Sequence, residues 1–277
     1  MALPLFELAG RIGRVAQLLG LTGPASREVG AVFPEFLPAR RRQVALAIAA
    51  QRFSNALLRR VVARVGIEAF ARRVRCEGEK ELVDLVARRH PVVLVPWHCG
   101  PLHAIAPALI RLGIPALVVR SEPQFQAAHG IEYAYTGGDE NAGARALKHC
   151  IARLRGGGVV VMPAGVPSVP FDLPPGPYRM FGRDAHVFRG PAVLARLGGA
   201  EVIPVAPRWR GEEVAVGFTA PLRRPAAGSG EGARDAFDRG MVSALAGWWE
   251  LYLRARPEDL WILSLRAIAR MPYAPSS

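Results

Sequence analysis

The run Val92-Val93-Leu94-Val95-Pro96-Trp97-His98-Cys99-Gly100-Pro101-Leu102-His103 decides the fold. Its opening residues are apolar and mostly β-branched, as in a strand buried on both faces. A histidine ends the run, a Gly-Pro turn follows, and a helical pattern opens behind it. This arrangement holds an imidazole at the carboxyl end of a buried strand, where open α/β sheets bind ligands. Histidine is also the side chain whose ordinary pKa best suits general-base work near neutrality. A packing histidine at a strand end fits the same position, and position alone leaves both readings open.

Downstream, strands and helices alternate. Strand-like runs fall at Val92–Val95, Pro115–Val119, Val159–Met162, Val202–Val205 and Val214–Phe218, with helical patterns near 101–112, 140–155, 189–198 and 233–255. Alternation of this kind predicts an α/β fold with a mainly parallel central sheet flanked by helices. The Pro- and Gly-rich stretches 163–178 and 221–232 read as loops, the second exposed and mobile. The run Gly156-Gly157-Gly158 precedes a strand, where a dinucleotide-binding loop would follow one, so it reads as a turn. No internal repeat is visible.

Upstream lies an N-terminal helical segment. Pro38 suits the first turn of a helix, and a long pattern runs from about Ala39 to Arg75 with Leu46, Phe53, Leu57 and Val61 on one side. Arg40, Arg41, Arg42, Arg52, Arg59, Arg60 and Arg64 make its remainder basic, either a solvated surface or one for an acidic partner. Within the first twenty residues, Leu5, Leu8, Ile12, Val15 and Leu19 share one helical face. That face suits either the protein's own core or a bilayer surface. Glu7, Arg11 and Arg14 interrupt the segment, which argues against a secretory signal. No stretch has the roughly 18 uninterrupted apolar residues of a membrane span.

The 277 residues are 51% hydrophobic and carry 36 basic against 23 acidic side chains, a net charge of +13. Lys80 and Lys148 are the only lysines, so 34 of the basic residues are arginine. The charge implies attraction to an anionic partner: a membrane surface, nucleic acid, an acidic carrier protein or a phosphorylated ligand. Cys76, Cys99 and Cys150 are odd in number and widely spaced. They give neither a disulfide framework nor a zinc pattern and fit a reducing, cytoplasmic compartment.

Several chemistries are disfavoured by what is missing. Cys99 between His98 and His103 gives His-Cys-x3-His, which lacks the spacing of familiar zinc sites, so no metal is expected. Ser168 sits in a loop without the GxSxG elbow of a hydrolase, and no phosphate-binding GxxxxGK[ST] occurs. Trp209, Trp248, Trp249 and Trp261 read as core or rim, and no aromatic-basic pattern suggests a nucleic-acid module. Arg120 ends the second strand on the same sheet edge as His98. It can pair there with phosphate or carboxylate, or simply face solvent.

Five blocks in this order resemble the lysophospholipid-acyltransferase superfamily, in its branch of lipid A lauroyl/myristoyl and phosphatidylinositol mannoside acyltransferases. They are Phe33-Pro34-Glu35 before an Arg-rich helix, the strand ending in His98, and Met180-Phe181-Gly182-Arg183 with Gly190–Ala200. Val202-Ile203-Pro204-Val205 and Arg256-Pro257-Glu258-Asp259-Leu260-Trp261-Ile262-Leu263 complete the set. The resemblance implies residues 76–277 as an acyltransferase domain, with residues 1–75 as a helical segment packed on its core. It implies transfer of an acyl group from an acyl-carrier-protein or coenzyme A thioester to a hydroxyl or amine, with no other cofactor. His98 would be the general base, tuned by His103, while Arg120, Arg183 and Trp97 would bind substrate.

Two departures from the family pattern stand out. His103 replaces the acid of the H-x4-D/E block, and Pro163-Ala164-Gly165 has alanine where an acidic residue is common. Asp139, Glu140 or Asp172 are candidates to supply the missing carboxylate. A more nucleophilic acceptor such as an amine would need it less, and a non-catalytic thioester-binding relative would not need it at all. Aminoacyl transfer from a charged tRNA is a weaker alternative that the positive charge would suit. The charge-interrupted segment ahead of Phe33 speaks against integral membrane attachment, so the expectation is a cytoplasmic protein, as the cysteines suggest, with peripheral contact to the inner face of the plasma membrane as an option.

Overall fold

The computed structural model describes Val15 and residues 25–121, 127, 129–137, 139–164, 178–185, 187–225 and 232–271. Helix α1 spans Ala25–Val32, α2 Pro38–Val65 and α3 Ile67–Ala71. Strand β1 (Arg75–Glu77), helix α4 (Lys80–Ala87) and strand β2 (Val92–Pro96) lead to a 3-10 turn at Leu102–Ala104. There follow α5 (Ile105–Arg111), β3 (Ala116–Arg120), β4 (Ile131–Tyr135), α6 (Ala142–Arg155) and β5 (Val159–Val161). The hairpin β6 (Tyr178–Met180) and β7 (Arg183–Ala185) precedes α7 (Gly190–Gly198), β8 (Glu201–Arg210) and β9 (Glu213–Phe218). Helix α8 (Ala233–Ala255), a 3-10 turn at Pro257–Asp259 and α9 (Ile262–Arg270) close the described chain.

The central sheet has seven strands in the order β1-β9-β8-β2-β5-β3-β4. Neighbours are parallel except for β8 and β9, which form an antiparallel pair. Strand β2 lies between β8 and β5. The chain leaves it through α5 toward β3 and returns through β5 and α7 to β8 on its other side. Connections that diverge in this way open a crevice at the carboxyl end of the strand, the usual ligand position in such sheets.

Side-chain alternation divides the core into two layers. Val93, Val95, Leu117, Val119 and Val160 face one layer with residues of α6, α7 and α8. Val92, Leu94, Val118, Val161 and Ile203 face the other with residues of α4 and α5. Val92–Val95 are all fully buried, and that burial stabilises the fold by roughly 6–12 kcal/mol before chain entropy opposes it. Helix α2 contributes to both layers, Val44, Ala45 and Ile48 to the first and Leu58 and Val61 to the second.

Pro38 stands in the first turn of α2, where its missing N–H costs nothing. The helix is shorter than its periodicity predicts. Gly66 adopts φ 88°, which ends α2, and the chain then forms α3 and β1 instead of continuing to Arg75. Gly157 confirms the glycine run as a turn, with φ +75° and a would-be Cβ 2.3 Å from the Arg89 carbonyl oxygen. The amphipathic pattern of residues 5–19 lies outside the described residues except for Val15, which is helical and half exposed. Most of the loop expected at 163–178, and residues 226–231 of that expected at 221–232, also lie outside them.

Candidate active site

Beyond β2 the chain turns sharply at His98-Cys99-Gly100, and several elements hold this turn. The Gly100 N–H donates to the Asp259 carbonyl at 2.8 Å, and the Trp261 N–H donates to the His98 carbonyl at 3.3 Å. These bonds flank an antiparallel bridge between Cys99 and Leu260. The Gly100 carbonyl accepts from Trp261 Nε1 at 2.7 Å and from Asn55 Nδ2 of α2 at 2.9 Å, and Asn55 Oδ1 accepts from Trp209 Nε1 at 2.9 Å. Gly100 has φ +51°, and a Cβ there would lie 1.7 Å from the Pro207 carbonyl oxygen of β8. Only glycine lets the turn approach β8 so closely.

The His98 ring packs on the Trp261 ring with centroids 5.7 Å apart. Burial holds its pKa below the usual 6.5, so the imidazole is neutral and able to accept a proton at neutral pH. Cys99 is fully buried and its thiol is pushed well up, first by burial and then by Asp259, so it is no nucleophile.

A cavity of about 420 Å³ opens beside this turn, between α2 and the start of α9. Ile48, Ala56, Trp261, Ile262 and Leu263 make its apolar walls; Arg52, Arg59 and Arg266 add cations, and His103 enters from the 3-10 turn. His98 is not among the lining residues, but it touches Trp261, which is. The His103 pKa is pushed down to about 4, chiefly by burial and then by Arg120 and Arg59. His103 is therefore neutral, and the charges acting on it among the described residues are cationic. Arg120 lies 5.7 Å from the centre of the Tyr133 ring.

The other sequence-predicted residues lie elsewhere. Trp97 is fully buried in the core layer of Val93 and Val95, 5.8 Å from the Trp249 ring, and its indole N–H has no acceptor among the described residues. Arg183 is 4% exposed and donates to the carbonyls of Met271 at 2.6 Å and Ala31 at 2.8 Å. It ties the ends of α1 and α9 to the β6–β7 hairpin. Phe33 belongs to the same joint, stacking on Phe36 and meeting Phe181 edge-on.

Among the carboxylate candidates, Asp139 is occupied by Arg145, at 2.6 and 3.1 Å, and by the Asn141 N–H. Glu140 is exposed, and Asp172 lies outside the described residues. Ala164 is fully buried, its N–H donating to the Pro96 carbonyl at 2.9 Å. Sequence reasoning missed Asn55 and Trp261 as supports of the turn and Arg59 as a neighbour of His103. A signal existed in α2: Gln51, Asn55 and Arg59 recur every four residues, a polar stripe along an otherwise apolar or solvated helix.

Among the described residues no group of three or more His, Cys, Asp or Glu side chains is placed to hold a metal ion. Comparison with protein-family models finds no match, and a search of curated proteins finds none.

Proposed function

We propose that the protein is an acyltransferase that moves an acyl group from an acyl-carrier-protein or coenzyme A thioester to a hydroxyl or amine acceptor. One observation carries the reading: a neutral, half-buried histidine on a rigid turn at the carboxyl end of β2, next to an apolar cavity with a cationic rim. His98 takes the acceptor proton as the acceptor oxygen or nitrogen attacks the thioester carbonyl. The carbon–sulfur bond then breaks, and the departing thiolate recovers the proton from His98. His103, neutral under these conditions, lines the cavity beside the His98 turn and tunes the base without adding negative charge. Arg120, with Arg59, Arg52 and Arg266, attracts a phosphate or carboxylate of the substrate.

The sequence blocks that resemble lipid A acyltransferases support the same reading. No described helix is long and apolar enough to cross a membrane, and peripheral contact with an anionic bilayer is consistent with the arginines of α2. A second reading, an acyl-thioester-binding protein without chemistry, draws on the cations around His103, which disfavour a protonated imidazole nearby.

The experiment is thioester consumption by wild type and His98→Ala, using acyl-coenzyme A and acyl-carrier-protein panels with mixed lipid and amine acceptors. Transferase activity predicts an acylated product by mass spectrometry with wild type alone. Tight thioester binding with no transfer by either protein favours the binding-protein reading.

A further inference from the structure

The described molecule has several features that the proposed reaction leaves unexplained. A 240 Å³ pocket lies around Phe70, Arg73, Trp209 and Glu212, and α2 carries five arginines besides Arg52 and Arg59 and no acid. The feature with the most converging contacts is Trp261.

Trp261 meets the candidate base in three ways. Its backbone N–H is bonded to the His98 carbonyl, its indole N–H is bonded to the Gly100 carbonyl, and its ring packs against the imidazole. Trp261 also forms part of the cavity wall, together with His103 and the apolar residues Ile262 and Leu263. Ser264 Oγ adds a bond to the His98 carbonyl at 3.4 Å from the first turn of α9. A ligand pressing on the cavity wall at Trp261 therefore presses on the side chain that holds the His98 turn. Asn55 reinforces this link from the opposite side, since it lines the cavity and donates to the same Gly100 carbonyl.

We propose that Trp261 is the positioning residue of His98 and couples the orientation of the imidazole to occupancy of the cavity by an apolar chain. It acts through its indole N–H on Gly100 and its ring on His98, and it touches no reacting atom. The ring already packs on the imidazole and is bonded to Gly100; a chain bound in the cavity presses on its other contacts and narrows the range of orientations open to ring and imidazole together. The proposal deepens the acyltransferase reading and rests on His98 being the base of that reaction. The coupling itself is measurable without turnover.

The test uses full-length protein with ¹⁵N-labelled histidine, titrated with dodecanoate below its micellar range, in wild type, Trp261→Phe and Asn55→Leu. Trp261→Phe keeps an aromatic wall and removes the indole donor, while Asn55→Leu removes the other donor to Gly100 and leaves both rings. The expected result is that dodecanoate shifts and sharpens the His98 imidazole signals in wild type. In Trp261→Phe those signals are already displaced in the free protein and respond at least threefold less at saturation. Asn55→Leu lies between the two. Where turnover is measured, Trp261→Phe lowers kcat with KM within twofold of wild type.

The proposal is overturned if both variants fold and keep the wild-type His98 signals and response. It is equally overturned if dodecanoate binds in the cavity without moving His98 in wild type. A full His98 response together with no acyl transfer to any acceptor would sustain the coupling and remove the transferase reading, so the two failures are distinct.

Discussion

Replacing Gly100 with alanine tests the geometry that presents His98. The residue sits at φ +51°, and its new Cβ would fall 1.7 Å from the Pro207 carbonyl oxygen. The left-handed conformation costs a non-glycine residue roughly 1–2 kcal/mol. Forcing the turn away from β8 adds about 1–3 kcal/mol of overpacking. Weakening one of the bonds from Asn55, Trp261 or to Asp259 adds about 1 kcal/mol. The expected loss is therefore about 3–6 kcal/mol, a large share of the roughly 5–15 kcal/mol that holds a domain together. Gly113 supplies the control, with φ +68° and nothing within 4 Å of the place a methyl group would take. Gly113→Ala carries the conformational cost alone. Urea denaturation followed by tryptophan fluorescence reads both variants. If Gly100→Ala loses no more stability than Gly113→Ala, β8 does not press on the turn and the rigid presentation of His98 is wrong.

Further expectations follow from individual side chains. Arg183→Met strands the carbonyls of Ala31 and Met271, at about 1–3 kcal/mol each, so calorimetry detects a loss of about 2–6 kcal/mol. Unchanged stability with weakened ligand binding would instead return Arg183 to a substrate role. His103, with its pKa near 4 when folded and an ordinary value near 6.5 when unfolded, contributes nothing to the pH dependence above 6.5. Below that, the unfolded chain binds a proton that the folded one refuses, so stability falls between pH 6.5 and 4 by up to about 3 kcal/mol. His103→Gln removes this part of the acid sensitivity in denaturant titrations at pH 7 and 4.5, and equal sensitivity in both proteins refutes it. Arg59→Gln raises the His103 pKa in an NMR titration and weakens binding of an anionic ligand roughly fivefold, about 1 kcal/mol for an exposed charge. An unmoved His103 would show that Arg59 does not reach it.

The alternation of buried runs and helical patterns carries the fold, because fully buried strands such as Val92–Val95 leave an unbroken apolar signature. The elements that escape it are short or half exposed. Strand β1 has three residues, and β4 mixes Glu132, Tyr133 and Tyr135 with buried Ile131 and Ala134 at the sheet edge. The end of α2 is hidden because its apolar periodicity continues past Gly66, while backbone conformation stops the helix there. His98 and His103 are legible from their place after a strand. The supports of their turn are not, since Asn55 and Trp261 lie 45 and 161 residues from Gly100 and meet it only in the folded chain. Arg183 is legible as a motif residue, but the carbonyls it holds belong to α1 and to the residue after α9, and no local pattern announces such a joint.

The central claim is that His98 works as a neutral base on that turn, and the pH dependence of turnover tests it most directly. The rate of thioester transfer would be measured from pH 4 to 9 beside an NMR titration of the His98 imidazole in the same protein. The account predicts that turnover rises with one ionisation below 6.5, that this ionisation coincides with His98's own, and that His98→Ala abolishes transfer. A rate that follows a different ionisation, or transfer that survives His98→Ala, would contradict it.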